Sequence, residues 1–304
     1  MLIKKDDTIM VTGGTGFLGK AVVRLLKRDG YTKVIPLPGS KTWDLTKQNY
    51  VVYALQQFKP KVIIHLAARV GGIGANQKNP GKFMYENLSM GLNLIEGARR
   101  QNICKKFIMV GTVCAYPKFT PVPFKEEDLW NGYPEETNAP YGIAKKSLIQ
   151  LLISYKQQYN FNSINLIPVN MYGPEDNFNP ENSHVIPALI RKFYKATLKN
   201  PHSNVSVWGT GAASREFLYV EDCARAIVMS MEVHNDPRPV NIGTGAEITI
   251  KELVLKISEY MLHKGKIVWH PEKPDGQPRR CLDTSRAKEL FDFDARIDLD
   301  TGLK

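Results

Sequence analysis

Short apolar runs alternate along this chain with longer stretches in which apolar residues recur every three or four positions. Thr8 to Thr12 is the first apolar run, and a helical pattern follows from about Lys20 to Arg28. Val34 to Leu37 predicts a strand, Gln48 to Phe58 a helix and Val62 to Leu66 a buried strand. Met84 to Gln101 then predicts a long helix, Phe107 to Val110 a strand, Ser147 to Tyr159 a helix and Ser163 to Val169 a strand. Strands this short and apolar, separated by helices of this length, predict an α/β fold with a doubly wound parallel sheet covered on both faces. From Asn170 the rhythm becomes irregular, with Gly173, Pro174, Asn177, Asn179, Pro180 and Asn182 in one loop. That loop predicts entry to a smaller α/β lobe, and Glu221 to Met231 with Val240 to Gly243 predicts a return to the sheet. The expected division is 1–169 plus 220–243 for the larger domain, and 170–219 plus 244–304 for the smaller, substrate-binding one.

The first strand runs into Gly13, Gly14, Thr15, Gly16, Phe17, Leu18 and Gly19. Glycines there allow a turn whose backbone N–H groups approach a pyrophosphate, and the following helix N-terminus favours negative charge. Strand, glycine turn and helix, with nothing ahead that reads as a targeting peptide, predict a Rossmann-type dinucleotide site. An NAD site usually has an acid at the end of the second strand to hold the ribose diol. Here Pro38, Gly39, Ser40, Lys41 and Thr42 follow that strand, with no acid before Asp44. Ser40 and Lys41 suit an added 2′-phosphate, so NADP(H) is the expected cofactor. Asp44 suits either the adenine ring or a turn-stabilising Asx role.

Charge adds a constraint. The 304 residues carry a formal net charge of +11. Lys and Arg are spread along the chain without a basic block or an aromatic-interleaved tract, which argues against nucleic acid and suits phosphate-bearing small molecules. No apolar run approaches 20 residues, so no membrane span is expected. Cys104, Cys114, Cys223 and Cys281 are scattered, without metal-ligand spacing or a dense disulfide framework, which predicts a reducing, cytoplasmic setting and no metal.

Tyr141 and Lys145 carry the most chemistry. Four residues apart on a helix, a phenol and an ammonium share one face. The spacing predicts a cation that favours the phenolate and eases proton exchange with a carbonyl or hydroxyl. Gly111-Thr-Val-Cys-Ala-Tyr-Pro117 follows a predicted strand, and strand carboxyl ends face the ligand crevice in such sheets. Thr112 therefore supplies a hydroxyl beside Tyr141, with the Cys114 thiol two residues on.

With these residues in view, the chain resembles the extended short-chain dehydrogenase/reductases, and within them the GDP-L-fucose synthase family. The resemblance covers almost the whole sequence. It rests on Thr12-Gly-Gly-Thr-Gly-Phe-Leu-Gly19, His65-Leu-Ala-Ala68, Val70-Gly-Gly-Ile73, Cys114-Ala-Tyr-Pro117 and Tyr141-Gly-Ile-Ala-Lys145. Tyr172-Gly-Pro-Glu-Asp-Asn-Phe178, Asn182-Ser-His-Val-Ile-Pro187, Val207-Trp-Gly-Thr-Gly211, Arg215-Glu-Phe217 and Lys273-Pro-Asp-Gly276 extend it. It implies a 3,5-epimerase and NADPH-dependent 4-reductase acting on GDP-4-keto-6-deoxy-D-mannose. It further implies Thr112, Tyr141 and Lys145 as the reductase triad, and Cys114 and His184 as base and acid of epimerisation. Cofactor contacts are implied at Leu66, Ala67, Ala68, Tyr141, Lys145 and His184 besides the glycine turn. Asn170, Val185, Leu189, Lys192, Trp208, Arg215, Lys273 and Arg279 are implied around the nucleotide half of the substrate.

Three positions depart from the family pattern. Thr112 stands where many relatives have Ser, Val113 where a small polar residue is common, and Lys192 where an Arg often contacts the diphosphate. A 4,6-dehydratase would carry an Asp-Glu pair where this chain has Val113-Cys114, and a 4-epimerase usually keeps the diol-binding acid. A catalytically silent NADP-binding protein would have lost the triad or the Cys/His pair. In the extended short-chain family the long helices around Met84 to Gln101 and Ser147 to Tyr159 commonly form a homodimer bundle, so a homodimer is expected, although the same apolar stripes suit burial within one chain equally well.

Overall fold

The computed structural model describes residues 3–273 and 275–304. The larger lobe runs β1 (Ile9–Thr12), α1 (Phe17–Arg28), β2 (Val34–Leu37), α2 (Gln48–Phe58), β3 (Val62–His65), α3 (Ile73–Lys78), α4 (Pro80–Gln101), β4 (Lys106–Val110), α5 (Ala139–Tyr159) and β5 (Ser163–Pro168). Next come β6 (Asn170–Tyr172), α6 (Val185–Lys199), β7 (Val205–Trp208), β8 (Ser214–Tyr219), α7 (Val220–Val233) and β9 (Pro239–Ile242). β10 (Glu247–Thr249), α8 (Ile250–Tyr260), β11 (Ile267–His270), α9 (Ser285–Phe291) and α10 (Leu299–Leu303) complete the chain.

Among the described residues, six parallel strands form one sheet in the order β2-β1-β3-β4-β5-β9. This is a Rossmann-type fold. The order reverses between β1 and β3, the point at which such sheets open a ligand crevice beyond their carboxyl ends. β1, β3, β4, β5 and β9 are buried on both faces. That is why their sequences read as continuous apolar runs rather than as alternation. One face packs α1 and α7 around Val22, Leu26, Ala224 and Met231; the other packs α2, α4 and α5 around Leu55, Leu94 and Leu148. A separate core joins α6, α8, β7 and β8 through Ile186, Phe193, Val207 and Leu253. No helix among the described residues is long and apolar enough to cross a membrane.

Four differences from the sequence expectation have physical causes. α1 begins at Phe17 rather than Lys20, because Gly16 takes an extended conformation and serves as its N-cap. α4 begins at Pro80, ahead of Met84, since proline suits a first helical turn whose N–H groups have no partner. Asn170 opens a short strand where the sequence showed only an irregular rhythm, as β6 pairs with β8 in a second sheet. The expected assignment of all of 244–304 to the smaller lobe also needs correction. Leu282, Ala287, Phe291 and Phe293 bury themselves in the larger core, where α9 contacts α7 and β9.

Candidate active site

The glycine turn is shaped by close approach. Gly13 has φ +68, and a Cβ there would stand 2.9 Å from the Ala67 backbone nitrogen. A Cβ on Gly14 would meet Pro36 at 2.7 Å, and one on Gly19 would lie 2.7 Å from the Gly14 Cα. Only glycine lets β1, β2, α1 and the loop after β3 crowd together in this way. Gly16 differs. Its Cβ would meet nothing closer than the Gly13 oxygen at 3.2 Å, so open space lies over the start of α1. The first turn of α1 has no capping side chain and no acid. Uncapped N–H groups beneath open space fit a dinucleotide pyrophosphate. Phe17, Leu18 and Gly19 form that turn, with Leu18 and Gly19 packed into the core.

Around this cradle, Leu66, Ala67 and Ala68 form the half-buried floor after β3, with the Ala67 N–H donating to Thr12 Oγ1 at 3.2 Å. Ser40 and Lys41 are exposed just past β2. Asp44 Oδ1 accepts from the Thr46 N–H at 3.1 Å and the Thr46 hydroxyl at 2.6 Å. Of the two roles open to Asp44, the structure places it in the turn-stabilising one.

The catalytic candidates converge at the end of β4. Thr112 caps a short 3-10 turn, Val113–Ala115, with its Oγ1 accepting from the Cys114 N–H at 3.2 Å. The Thr112 hydroxyl also engages the Tyr141 phenol. α5 approaches this turn through Gly142, where a Cβ would stand 3.0 Å from the Cys114 carbonyl carbon. The glycine between Tyr141 and the rest of the helix thus brings the phenol beside the thiol. Asn76 Nδ2 donates to Asn138 Oδ1 at 3.1 Å and ties α3 to the start of α5.

Lys145 is 2% exposed, and its Nζ donates to the Val110 carbonyl at 3.0 Å. Burial pushes its pKa down to about 8. An ammonium with three donors and this one partner among the described residues retains two for a ligand hydroxyl. Tyr141 behaves differently from the expectation of a cation-favoured phenolate. Burial pushes the phenol above its ordinary value, the neighbouring Cys114 adds to this, and the Thr112 hydroxyl opposes it. Tyr141 is therefore held protonated at neutral pH, the state an acid needs. Beneath it, His65 Nδ1 lies 2.8 Å from Thr12 Oγ1, and burial with the Lys145 charge keeps the imidazole neutral.

His184 enters from the smaller lobe as the N-cap of α6. Its loop rests on the loop after β3, where a Cβ on Gly72 would meet the Ser183 carbonyl at 2.9 Å. The ring is accessible yet crowded by protein, as in a cleft wall, and that crowding lowers its pKa. Glu175, in the same loop, pairs with Lys20 and Arg24 of α1 at 3.0 and 2.9 Å and pins the two lobes together.

The nucleotide-side candidates divide. Arg215 is half-buried, donates to the Ser214 and Asp275 carbonyls at 2.6 and 3.1 Å, and is pushed down to about 10 by burial. Trp208 is 56% exposed, with Lys273 Nζ 5.9 Å from its ring centroid. Lys192 is exposed and donates to the Ser206 carbonyl at 2.9 Å; Asn170 donates to the Glu216 carbonyl at 3.2 Å. Two of the implied positions are engaged with protein. Leu189 is 3% exposed in the smaller core, with Val185 packed against the same core, because α6 turns its apolar stripe inward. Arg279 is turned outward and ion-paired with Glu247.

Arg280, unnoticed in the sequence, faces inward. The segment from Pro278 to Leu282 runs extended beside β8, with the Ser214 N–H donating to the Pro278 carbonyl at 2.9 Å and that of Glu216 to the Arg280 carbonyl at 3.1 Å. Neighbours in an extended segment face opposite sides. Arg279 facing out therefore puts Arg280 in, where Nη1 donates to Cys114 Sγ at 3.5 Å. Alternation shows that the two arginines face opposite sides, and the fold decides which of them faces in.

The glycine cradle, the tyrosine–lysine helix and the crevice at the sheet's carboxyl edge define a nucleotide-dependent short-chain oxidoreductase. The chain belongs to the NAD dependent epimerase/dehydratase family, whose model matches residues 9–243. It is 41% identical over 299 residues to GDP-L-fucose synthase 1 of Arabidopsis thaliana, covering 98% of this chain and 91% of that one. It is 38% identical over 304 residues to the GDP-L-fucose synthase of Escherichia coli K12, covering 97% and 94%. Among solved structures, it superposes on a GDP-L-fucose synthetase from Naegleria fowleri bound to NADP with TM-score 0.89 and 29% identity, covering 100% and 94%.

Proposed function

We propose that this chain converts GDP-4-keto-6-deoxy-D-mannose to GDP-L-fucose, inverting carbons 3 and 5 and then reducing the carbon-4 ketone at the expense of NADPH. The observation that carries the reading is a thiol set beside a protonated tyrosine at the end of β4, where Cys114 is near enough to act on the acidity of Tyr141. A reductase alone has no use for that thiol. The names of the relatives above support the substrate class, and the NADP in the Naegleria structure supports the cofactor.

Carbons 3 and 5 both flank the ketone, so removing a proton from either leaves an enolate. Cys114 takes that proton and becomes a neutral thiol; His184 returns a proton to the opposite face. Tyr141 and Thr112 donate hydrogen bonds to the carbon-4 oxygen while negative charge builds there. Bound NADPH supplies the hydride that reduces carbon 4. Tyr141 then gives its proton to the developing alkoxide, and the Lys145 ammonium beside it stabilises the phenolate left behind. Arg215, Lys192, Lys273 and Trp208 are assigned to the GDP half, with the Arg215 guanidinium suited to diphosphate oxygens.

The same reading includes a homodimer through the outer faces of α4 and α5, supported by the exposed Tyr85 and Leu92 on α4. Sedimentation as a monomer at micromolar concentration defeats that part. The function itself is tested by incubating the protein with GDP-4-keto-6-deoxy-D-mannose and NADPH and resolving the sugar by NMR. GDP-L-fucose is expected. A GDP-6-deoxy sugar with unaltered carbons 3 and 5 as sole product overturns the epimerase half.

A further inference from the structure

We infer that Arg280 is the residue that sets Cys114 for its work as a base, holding the sulfur in place and stabilising it as thiolate, with Gln277 as the strut that aims the guanidinium. This rests on the proposed base role of Cys114. Arg280 is 5% exposed and has no carboxylate partner among the described residues; its Nε and Nη2 both donate to Gln277 Oε1, at 3.1 and 3.0 Å. Gln277, 4% exposed, donates in turn to the Lys118 carbonyl at 2.8 Å and the Pro117 carbonyl at 3.4 Å. The remaining fork nitrogen reaches Cys114 Sγ at 3.5 Å. A buried guanidinium whose other donors end on a neutral amide needs an anion, and the thiolate is the one within reach.

The surroundings reinforce this. The groups acting on Cys114 from the packed elements are Tyr141 of α5, a neutral phenol, and Arg215 of β8, a second cation, which the Arg280 charge in turn pushes down. Glu135 and Asp275 act on Arg215 from further out. Glu216 fixes the register of the segment, its Oε2 accepting the Leu282 N–H at 2.7 Å two residues beyond Arg280. In the proton transfer, the thiolate gains the carbon-bound proton and the C–H electron pair passes into the enolate. Arg280 keeps all its own protons throughout. It is a positioning residue, supplied by the smaller lobe to a thiol of the larger one.

The test is the pH dependence of iodoacetamide alkylation at Cys114 in the full-length, substrate-free protein, followed by peptide mass spectrometry. The other three thiols are pushed up to about 12 by burial and stay silent over the range scanned. Arg280→Met is expected to move the Cys114 midpoint up by about one to three pH units, and Arg280→Lys to recover part of that shift. If Arg280→Met does not fold, Arg280→Lys and Gln277→Met carry the test, each with a smaller upward shift. Midpoints identical to the native protein in the folded variants overturn the inference while leaving the base role untouched. Native-rate deuterium exchange by Cys114→Ser instead removes the base role, and with it the purpose assigned here to Arg280.

Discussion

Gly142→Ala is a small change with a sharp expected result. In an ordinary helix the extra methyl stabilises by about 0.5–1 kcal/mol. At Gly142 the new Cβ would stand 3.0 Å from the Cys114 carbonyl carbon and 3.2 Å from the Ala115 Cα, and closer still to the Cys114 oxygen. These are backbone atoms and cannot swing away. Restoring contacts of ~3.5 Å means moving α5 and the Val113–Ala115 turn apart by up to ~1 Å. Overpacking of this kind costs about 1–3 kcal/mol, which outweighs the helical gain. A misplacement near 1 Å between Tyr141 and the groups on that turn costs roughly 100-fold in turnover, or about 2.7 kcal/mol of barrier. The assay is kcat from NADPH oxidation with the keto sugar, beside a urea midpoint and a titration of NADPH binding by fluorescence. The glycine turn is remote from this clash, so cofactor affinity should hold. Native turnover together with an unchanged or raised urea midpoint would refute the close-approach argument.

Tyr141→Phe removes the proton that the carbon-4 oxygen needs; turnover of reduction should fall by at least ~100-fold, with NADPH affinity retained by fluorescence titration. Cys114→Ser should leave a ketone that is still reduced, while deuterium enters carbons 3 and 5 slowly and NMR shows unepimerised product; in His184→Gln, deuterium should still wash in on the face from which the proton was taken. Lys106→Met deletes a buried ammonium that donates to the Met231 and His234 carbonyls at 2.6 and 2.8 Å, at the end of α7. With both carbonyls orphaned, urea denaturation should register a loss of about 2–4 kcal/mol. Asp176 has a buried Oδ2 without a partner, and burial raises its carboxyl from 3.8 to about 6. The folded state binds the extra proton between those values, so stability is full below pH 4, falls as pH rises to 6 and is flat above. Asp176→Asn should flatten that slope and add about 1 kcal/mol at pH 7, the two-unit shift being discounted for partial exposure. A steeper slope in the variant would contradict the sign.

Local patterns were the legible part of this molecule. The glycine turn, the Tyr141–Lys145 spacing and the short apolar strands are encoded within a few residues, and each appears where the sequence puts it. The packing of Leu189 was legible too: Ile186, Leu189 and Phe193 fall on one helical stripe, and that stripe is in the core of the smaller lobe. Arg279 and Arg280 could not be told apart until the direction of their segment was known. The contact from Arg280 to Cys114 spans 166 residues, a distance over which spacing carries no information. The acidity of Tyr141 was misjudged for a related reason. Spacing shows which groups are neighbours, whereas burial and the adjoining Cys114 and Thr112 decide which charge state prevails.

The pairing of β5 with β9 has a consequence for how the chain is made. Pro168 and Ile242 are partners at the carboxyl edge of the sheet, yet the segment between them includes β6, α6, β7 and β8 of the other lobe. At ~5–20 residues per second, a ribosome takes roughly 4–14 s to deliver the intervening stretch. Throughout that interval β5 is an apolar strand with one open side, a template for pairing with a neighbouring chain. Slow synthesis or crowded expression should therefore trap aggregates nucleated on residues 163–168, and a truncation ending before β9 should precipitate even though every residue of the nucleotide cradle is present.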